Sequence, residues 1–147
     1  MASIQARAWR HNFADIVAPE DVREPSEMEP RWREWLVDGP IDVRVFEQDG
    51  AVAGFAAFGA CRDGDAAEGT GELYAIYVDP AAQGAGVGSA LLEAAVGELR
   101  ARGFGEATLW TFAANGLART FYERHGWRLV AGHQERLAPE VRYRRAL

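Results

Sequence analysis

Residues 78–95 read VDPAAQGAGVGSALLEAA, and their order decides how the chain is built. A strand end and a proline give way to glycines at the alternate positions 84, 86 and 88, and then to a run of helix formers. Glycine takes positive φ readily and lets a ligand approach the main chain closely. A helix that begins at such a turn leaves its first N–H groups unpaired and carries partial positive charge at that end. The stretch reads as a main-chain cradle for an anion, set between a strand and a helix.

Working outward, GELYAIYV at 71–78 is a strand whose near-continuous apolar end suits a central position. After the glycines, Leu91, Leu92, Ala95, Val96 and Leu99 share one helical face, with Arg100 and Arg102 in the last turn and Gly103 as a stop. ATLWTF at 107–112 is the next strand. Strand, helix and strand in that order require a parallel pair joined by a right-handed crossover.

Upstream, IDVRVFEQ turns Val43 and Val45 inward, Asp49-Gly50 supplies a two-residue turn, and AVAGFAAFGA returns as an antiparallel strand. Residues 4–17 place Trp9, Phe13, Ile16 and Val17 at helical spacing, and RWREWL at 31–36 is a second short helix. The prolines and acids of VAPEDVREPSEMEP, between them, mark a loop. Downstream, Asn115 to Arg124 forms a helix ending before Gly126, followed by the closing strands WRLVAG and VRYRRAL. The expected fold is mixed α/β: a central mixed sheet with a parallel pair, antiparallel flanks and about four helices.

With 147 residues, 48% of them hydrophobic, the chain fits one domain with its own core. No apolar run approaches the roughly 20 residues that span a bilayer, and MASIQARAWRHNF lacks the apolar centre of a signal peptide. A single Cys61 suits a reducing compartment, so a cytoplasmic protein without membrane association is expected. Residues 1–50 carry 6 Arg against 11 acids and residues 101–147 carry 8 Arg against 4, with no Lys anywhere. An acidic chain without a basic stripe argues against nucleic acid, while the basic C-terminal part leaves room for a phosphorylated ligand. His11, His125 and His133 are scattered without metal-ligand spacing, and no metal is expected.

Three phosphate-binding arrangements compete for the glycine turn. A P-loop requires a lysine, and the chain has none. A dinucleotide fingerprint requires a third glycine where Ser89 stands, and an acid ending the next strand where Thr111 and Phe112 stand. The third is Q-x-x-G-x-G/A, closely related to Gln83-Gly84-Ala85-Gly86-Val87-Gly88. Here the sequence resembles the GNAT superfamily of acetyl-CoA-dependent N-acyltransferases. A second segment, Asn115-Gly-Leu-Ala118-Arg-Thr-Phe121-Tyr122-Glu-Arg-His-Gly126-Trp127, is similar to the family's N-x-x-A-x-x-F-Y-E-x-x-G-[FW]. The resemblance covers about residues 31–147, by element order.

The resemblance implies that Gln83, Gly84, Ala85, Gly86, Val87, Gly88 and Ser89 clasp the diphosphate of acetyl-CoA. It implies that the main chain of Ile76, Tyr77 and Val78 holds the pantetheine arm, one N–H polarising the thioester carbonyl. Tyr122 matches the family's acid for the departing thiolate, and Glu72 matches a carboxylate that takes the amine proton through water. Asn115 would bond the pantetheine amide region, and Arg119 or Arg124 the outer phosphates. Bland readings stand beside these: Tyr122 as a packed aromatic, Glu72 as an exposed strand-end acid, Asn115 as a helix cap, the arginines in surface ion pairs, and Trp9, Phe13, Trp32 and Trp35 as core rather than pocket wall. Cys61 as an acyl-carrying nucleophile has no histidine near it in sequence.

The implied function is acetyl transfer to a primary amine by direct attack in a ternary complex. Acid-rich loops favour a small-molecule amine, and a protein or peptide amine stays open. The alternative is a non-catalytic coenzyme A or acyl-CoA binding or sensor module on the same fold. One departure concerns the sheet: the family begins with a strand, whereas this sequence opens on a helix. The edge so exposed leaves room for a homodimer.

Overall fold

The computed structural model covers residues 1–147. Its elements are α1 (Ala2–Asn12), α2 (Pro25–Val37), β1 (Ile41–Gln48), β2 (Ala51–Ala60), β3 (Thr70–Val78), α3 (Val87–Ala101), β4 (Glu106–Phe112), α4 (Gly116–Arg124), β5 (Arg128–Glu135) and β6 (Pro139–Ala146). The strands form one sheet in the order β1-β2-β3-β4-β6-β5, parallel between β3 and β4 and antiparallel elsewhere. Asp49 and Gly50 both take positive φ, 52° and 77°, the left-handed pair a type I′ hairpin turn requires.

Two helical layers cover the sheet. On one face, Val87, Leu91, Leu92, Ala95, Val96 and Leu99 of α3 are buried against Ala56, Phe58, Leu73 and Leu109. Each such Leu or Val contributes about 1.5–3 kcal/mol by leaving water. A Cβ on Gly71 would meet Leu99 at 2.9 Å, so that glycine is a close-approach point between β3 and α3. The other face carries α1 and α2, where Ile4 and Trp32 close over Phe55 and Ala57.

Three expectations need correction. Much of the segment read as loop belongs to α2, which starts at Pro25. Glu24 and Glu27 form a reciprocal capping box with Pro25 in the first turn, and the Glu24 N–H donates to Glu27 at 2.8 Å. Pro30 lies inside that helix, on its solvent side with Ser26, whose carbonyl it cannot bond. The first helix stops at Asn12: the chain turns through Phe13, and Val17 N–H closes on the Phe13 carbonyl at 2.9 Å. Val45 points outward, 48% exposed, because β1 is the edge of the sheet and only one end of it is roofed by α2.

Candidate active site

Main chain forms one wall of the site. Gly84 and Gly86 adopt φ of 80° and 81°, and Gly86 is the left-handed N-cap of α3. The third glycine plays a different part. Gly88 already lies in the helix, where a Cβ would rest in ordinary contact with the Phe121 ring at 3.6 Å, so the packing of α4 against α3 does not require a glycine there. No backbone or side-chain acceptor receives the N–H groups of residues 84 to 89, six in succession at the mouth of a 15-residue helix. An anion is the partner such an array fits, since donors and helix dipole act in the same direction. The Gln83 side chain turns back, donating to Asn12 and to the Val78 carbonyl at 3.3 and 3.4 Å.

The parallel pair comes apart. β3 and β4 are in register only from Thr70–Glu106 to Leu73–Leu109, although the strands continue to Val78 and Phe112. The divergence begins where Tyr74 forms an extra residue in β3 against β2, between the pairs Ala57–Ala75 and Phe58–Leu73. From Tyr74 to Val78 the flank of β3 turned toward β4 therefore has no strand partner. A cleft of about 680 Å³ fills the gap and runs under α1 and α2, lined by Trp9, Trp32, Tyr77, Trp110, Glu72 and Tyr122 among others. At one end Trp9, Phe13 and Phe112 meet edge to face, with ring centroids 5.2 to 6.0 Å apart.

Three phenols line this cleft, Tyr74, Tyr77 and Tyr122, and their hydroxyls differ: Tyr74 Oη donates to the Ala60 carbonyl at 2.5 Å. Tyr77 Oη accepts from Trp9 Nε1 at 2.9 Å, a bond that latches α1 to β3. Tyr122 Oη has no hydrogen-bond partner in the protein. Burial, followed by the neighbouring Tyr77, pushes the Tyr122 phenol well above its ordinary range, so it holds its proton through neutral pH. It is the hydroxyl left available to a ligand.

Glu72 is 2% exposed, not a surface acid. Arg62 grips its carboxylate: Nη2 donates at 2.6 Å, Nε at 3.1 Å and the backbone N–H at 2.9 Å. The same guanidinium stacks 4.0 Å over the Tyr74 ring. Burial and the Glu72 charge push the Tyr74 phenol up to about 12. Arg62 was not visible as a site residue in the sequence: it sits in an irregular loop, and its partner lies ten residues on, across a turn without a regular period.

Asn115 caps α4, its Oδ1 accepting from Ala118 N–H at 3.1 Å. Arg119 donates to Tyr143 Oη and to the Ala113 carbonyl, both at 3.1 Å, and so is directed at β6. Cys61 lies beside Thr108 Oγ1 at 3.3 Å, where burial pushes its thiol up, away from nucleophilic character.

The sequence profile of the acetyltransferase (GNAT) family matches residues 6–127, which takes in both N-terminal helices as well as the glycine loop. Mycothiol acetyltransferase of Cellulomonas flavigena is 34% identical over 134 residues, 87% of this chain, and the chain spans only 36% of that relative's length. Among solved structures, PaiA N-acetyltransferase of Thermoplasma acidophilum, in complex with coenzyme A, superposes with a TM-score of 0.78 over 99% of this chain and 90% of that one, at 15% identity. Ribosomal-protein-alanine N-acetyltransferase of Brucella melitensis superposes with 0.76 at 23% identity, over 99% and 91% of the two chains. The glycine cradle, the splayed strands and the profile agree: the chain belongs to the acetyltransferase (GNAT) family.

Proposed function

We propose that the chain moves an acetyl group from acetyl-CoA to a primary amine, by direct attack with both substrates bound. The observation that carries this reading is the run of six unpaired N–H groups, residues 84–89, at the end of the strand that borders an open cleft. The diphosphate is held at that run, and the pantetheine arm extends along Ile76, Tyr77 and Val78, whose flank lacks a strand. One N–H of that flank meets the thioester oxygen as it gains charge. The amine nitrogen adds to the carbonyl carbon, the carbon–sulfur bond breaks, and Tyr122 gives its proton to the leaving sulfur.

An alkylammonium with a pKa near 10.4 must lose a proton before it attacks. Glu72 takes that proton through water. Arg62 fills three of the carboxylate's acceptor positions, so the relay uses the remaining one on Oε1. The cleft lining mixes the acids Glu20, Asp21, Glu27, Glu72 and Glu140 with Arg23, Arg31, Arg62 and Arg136, and its aromatic walls suit an amine carried on a small, partly apolar body. Relatives named for mycothiol, a small molecule, support an acceptor of that size.

A thiol-release assay with acetyl-CoA against polyamines, amino acids, aminoglycosides and peptides tests the reading. Saturable release with one amine class is the expected result. Calorimetric coenzyme binding with no release for any amine would convert the protein into a coenzyme sensor. Absence of a thermal shift at millimolar coenzyme would remove the reading altogether, because a ligand at 100 times its Kd adds about 2.7 kcal/mol.

A further inference from the structure

His125 joins the two motif segments. Its Nδ1 lies 2.8 Å from the Phe121 carbonyl oxygen, and its Nε2 lies 3.0 Å from Ser89 Oγ. A carbonyl only accepts, so in the uncharged ring the single proton sits on Nδ1 and Nε2 is the acceptor. The Ser89 hydroxyl then gives its one proton to His125. Ser89 is also the third residue of α3 and the last of the six whose N–H groups are unpaired. Its hydroxyl cannot donate to the ring and to an anion at that mouth together.

Charging the ring resolves the conflict. An imidazolium donates from both nitrogens, so the Nε2 bond reverses, Ser89 Oγ becomes its acceptor, and the hydroxyl proton turns outward. We propose that His125 couples coenzyme binding to proton uptake: the diphosphate is held best when the ring is protonated and Ser89 donates to it. This rests on the reading of residues 84–89 as the diphosphate site. The proton comes from solvent and no covalent bond changes.

The charges around the ring fit such a coupling. Glu93, one turn beyond Ser89 on α3, interacts with His125 electrostatically. Arg145 of β6 pairs with Glu93 at 2.8 Å and holds its carboxyl below the usual carboxylate range. On α4 Glu123 and Arg124 directly precede His125, and Glu123 accepts from Tyr143 Oη at 2.7 Å. Two acids and two arginines thus neighbour the ring, with formal charges that cancel. The ring closes onto Phe121, with centroids 4.5 Å apart, and is thereby kept against Ser89. The bound diphosphate is then the only anion added near His125.

The probe is 3′-dephospho-coenzyme A, which lacks the phosphate monoester that would itself titrate in this range. Calorimetry from pH 5.5 to 8.5, in buffers of different ionisation enthalpy, should show proton uptake and a Kd rising up to about tenfold, the factor that goes with one unit of linkage. His125→Gln keeps a hydrogen-bonding side chain without the titration, and its Kd should be flat. Ser89→Ala leaves the His125 bond to Phe121 intact, so it guards against a folding defect in the first variant, and its slope should be reduced. A His125→Gln slope equal to that of the native chain, or binding without proton uptake, overturns the coupling and leaves the coenzyme site standing. Failure to bind the probe at every pH overturns both.

Discussion

The two walls of the cleft are made of different material. On the side proposed for the coenzyme the wall is main chain: six N–H groups at the mouth of α3 and the unpartnered flank of β3. The side proposed for the acceptor is built from side chains of α1, α2 and the β2–β3 loop, with indoles, arginines and carboxylates that find one another across the fold. A backbone wall depends on few residue types. On the proposed reading the side-chain wall is the one that selects the amine, and residues such as Trp32 and Glu72 also hold the fold together.

The largest effect should fall where the walls meet. Tyr122→Phe removes the one free phenol of the cleft and should lower kcat by roughly 10² to 10⁴ while leaving coenzyme affinity intact. Tyr77→Phe removes a hydroxyl already bonded to Trp9, and kcat should change little. Steady-state kinetics on both variants decide between them, and a reversed order would move the acid to Tyr77.

The coenzyme wall is sharpened by a pair of glycines in and beside α3. Gly86→Ala places a Cβ at φ 81°, which costs about 1 to 2 kcal/mol of conformational energy, although no heavy atom lies within 4 Å to clash with it. The same Cβ intrudes where an anion would sit, so coenzyme affinity should fall by more than stability does. Gly97→Ala, at an exposed helical position with ordinary φ, should instead stabilise by about 0.5 to 1 kcal/mol and leave affinity alone. Denaturant melts together with calorimetry read both numbers.

That contrast also explains what could be read in advance. Glycine leaves a mark in sequence because few other residues take positive φ, so Gly84 and Gly86, the crossover and the strand before them were legible. Gly88 shared the mark without the conformation: it is not among the positive-φ glycines, and a Cβ there would only touch Phe121, which spacing does not reveal. The acceptor wall left none. The grip of Arg62 on Glu72, the Trp9–Tyr77 latch and the bond from Trp32 Nε1 to Gln5 at 2.7 Å join residues through tertiary packing without period. Helix α2 was half hidden because Pro25 and Pro30, which usually interrupt, here open the helix and face solvent within it.

The Arg62–Glu72 pair tests the acceptor wall through an asymmetry. Arg62→Ala strands a carboxylate that is 2% exposed, and should cost about 2 kcal/mol, less than the 3–5 of a fully buried pair because the guanidinium is half in water. Glu72→Gln leaves an arginine that solvent can serve, so its stability loss should be smaller, while turnover should fall most near neutral pH if the relay runs through this carboxylate. Urea melts and pH–rate profiles separate the two. An unaltered profile would confine Glu72 to holding Arg62.

The smallest effect concerns the link between the walls. Arg7 of α1 bonds Asp79, which follows β3 just before the glycine turn, with Nη2 to Oδ2 at 2.5 Å and Nε to the same oxygen at 3.0 Å. Arg7, and then the Ala81 N–H, hold the Asp79 carboxyl below its ordinary range. A carboxyl whose folded-state pKa is depressed stabilises the fold above its unfolded value, near 3.9, and loses that contribution as pH falls through the folded value. Asp79→Asn keeps Oδ1 for Ala81 and removes only the ionic part, which for so exposed an arginine is about 0.5 kcal/mol. Melting curves of the two proteins should therefore differ slightly at pH 7 and converge in acid, as pH falls through the depressed folded-state value. A difference that persists after the Asp79 carboxyl is protonated would mean that the latch acts through shape, and that α1 and the glycine turn are coupled without charge.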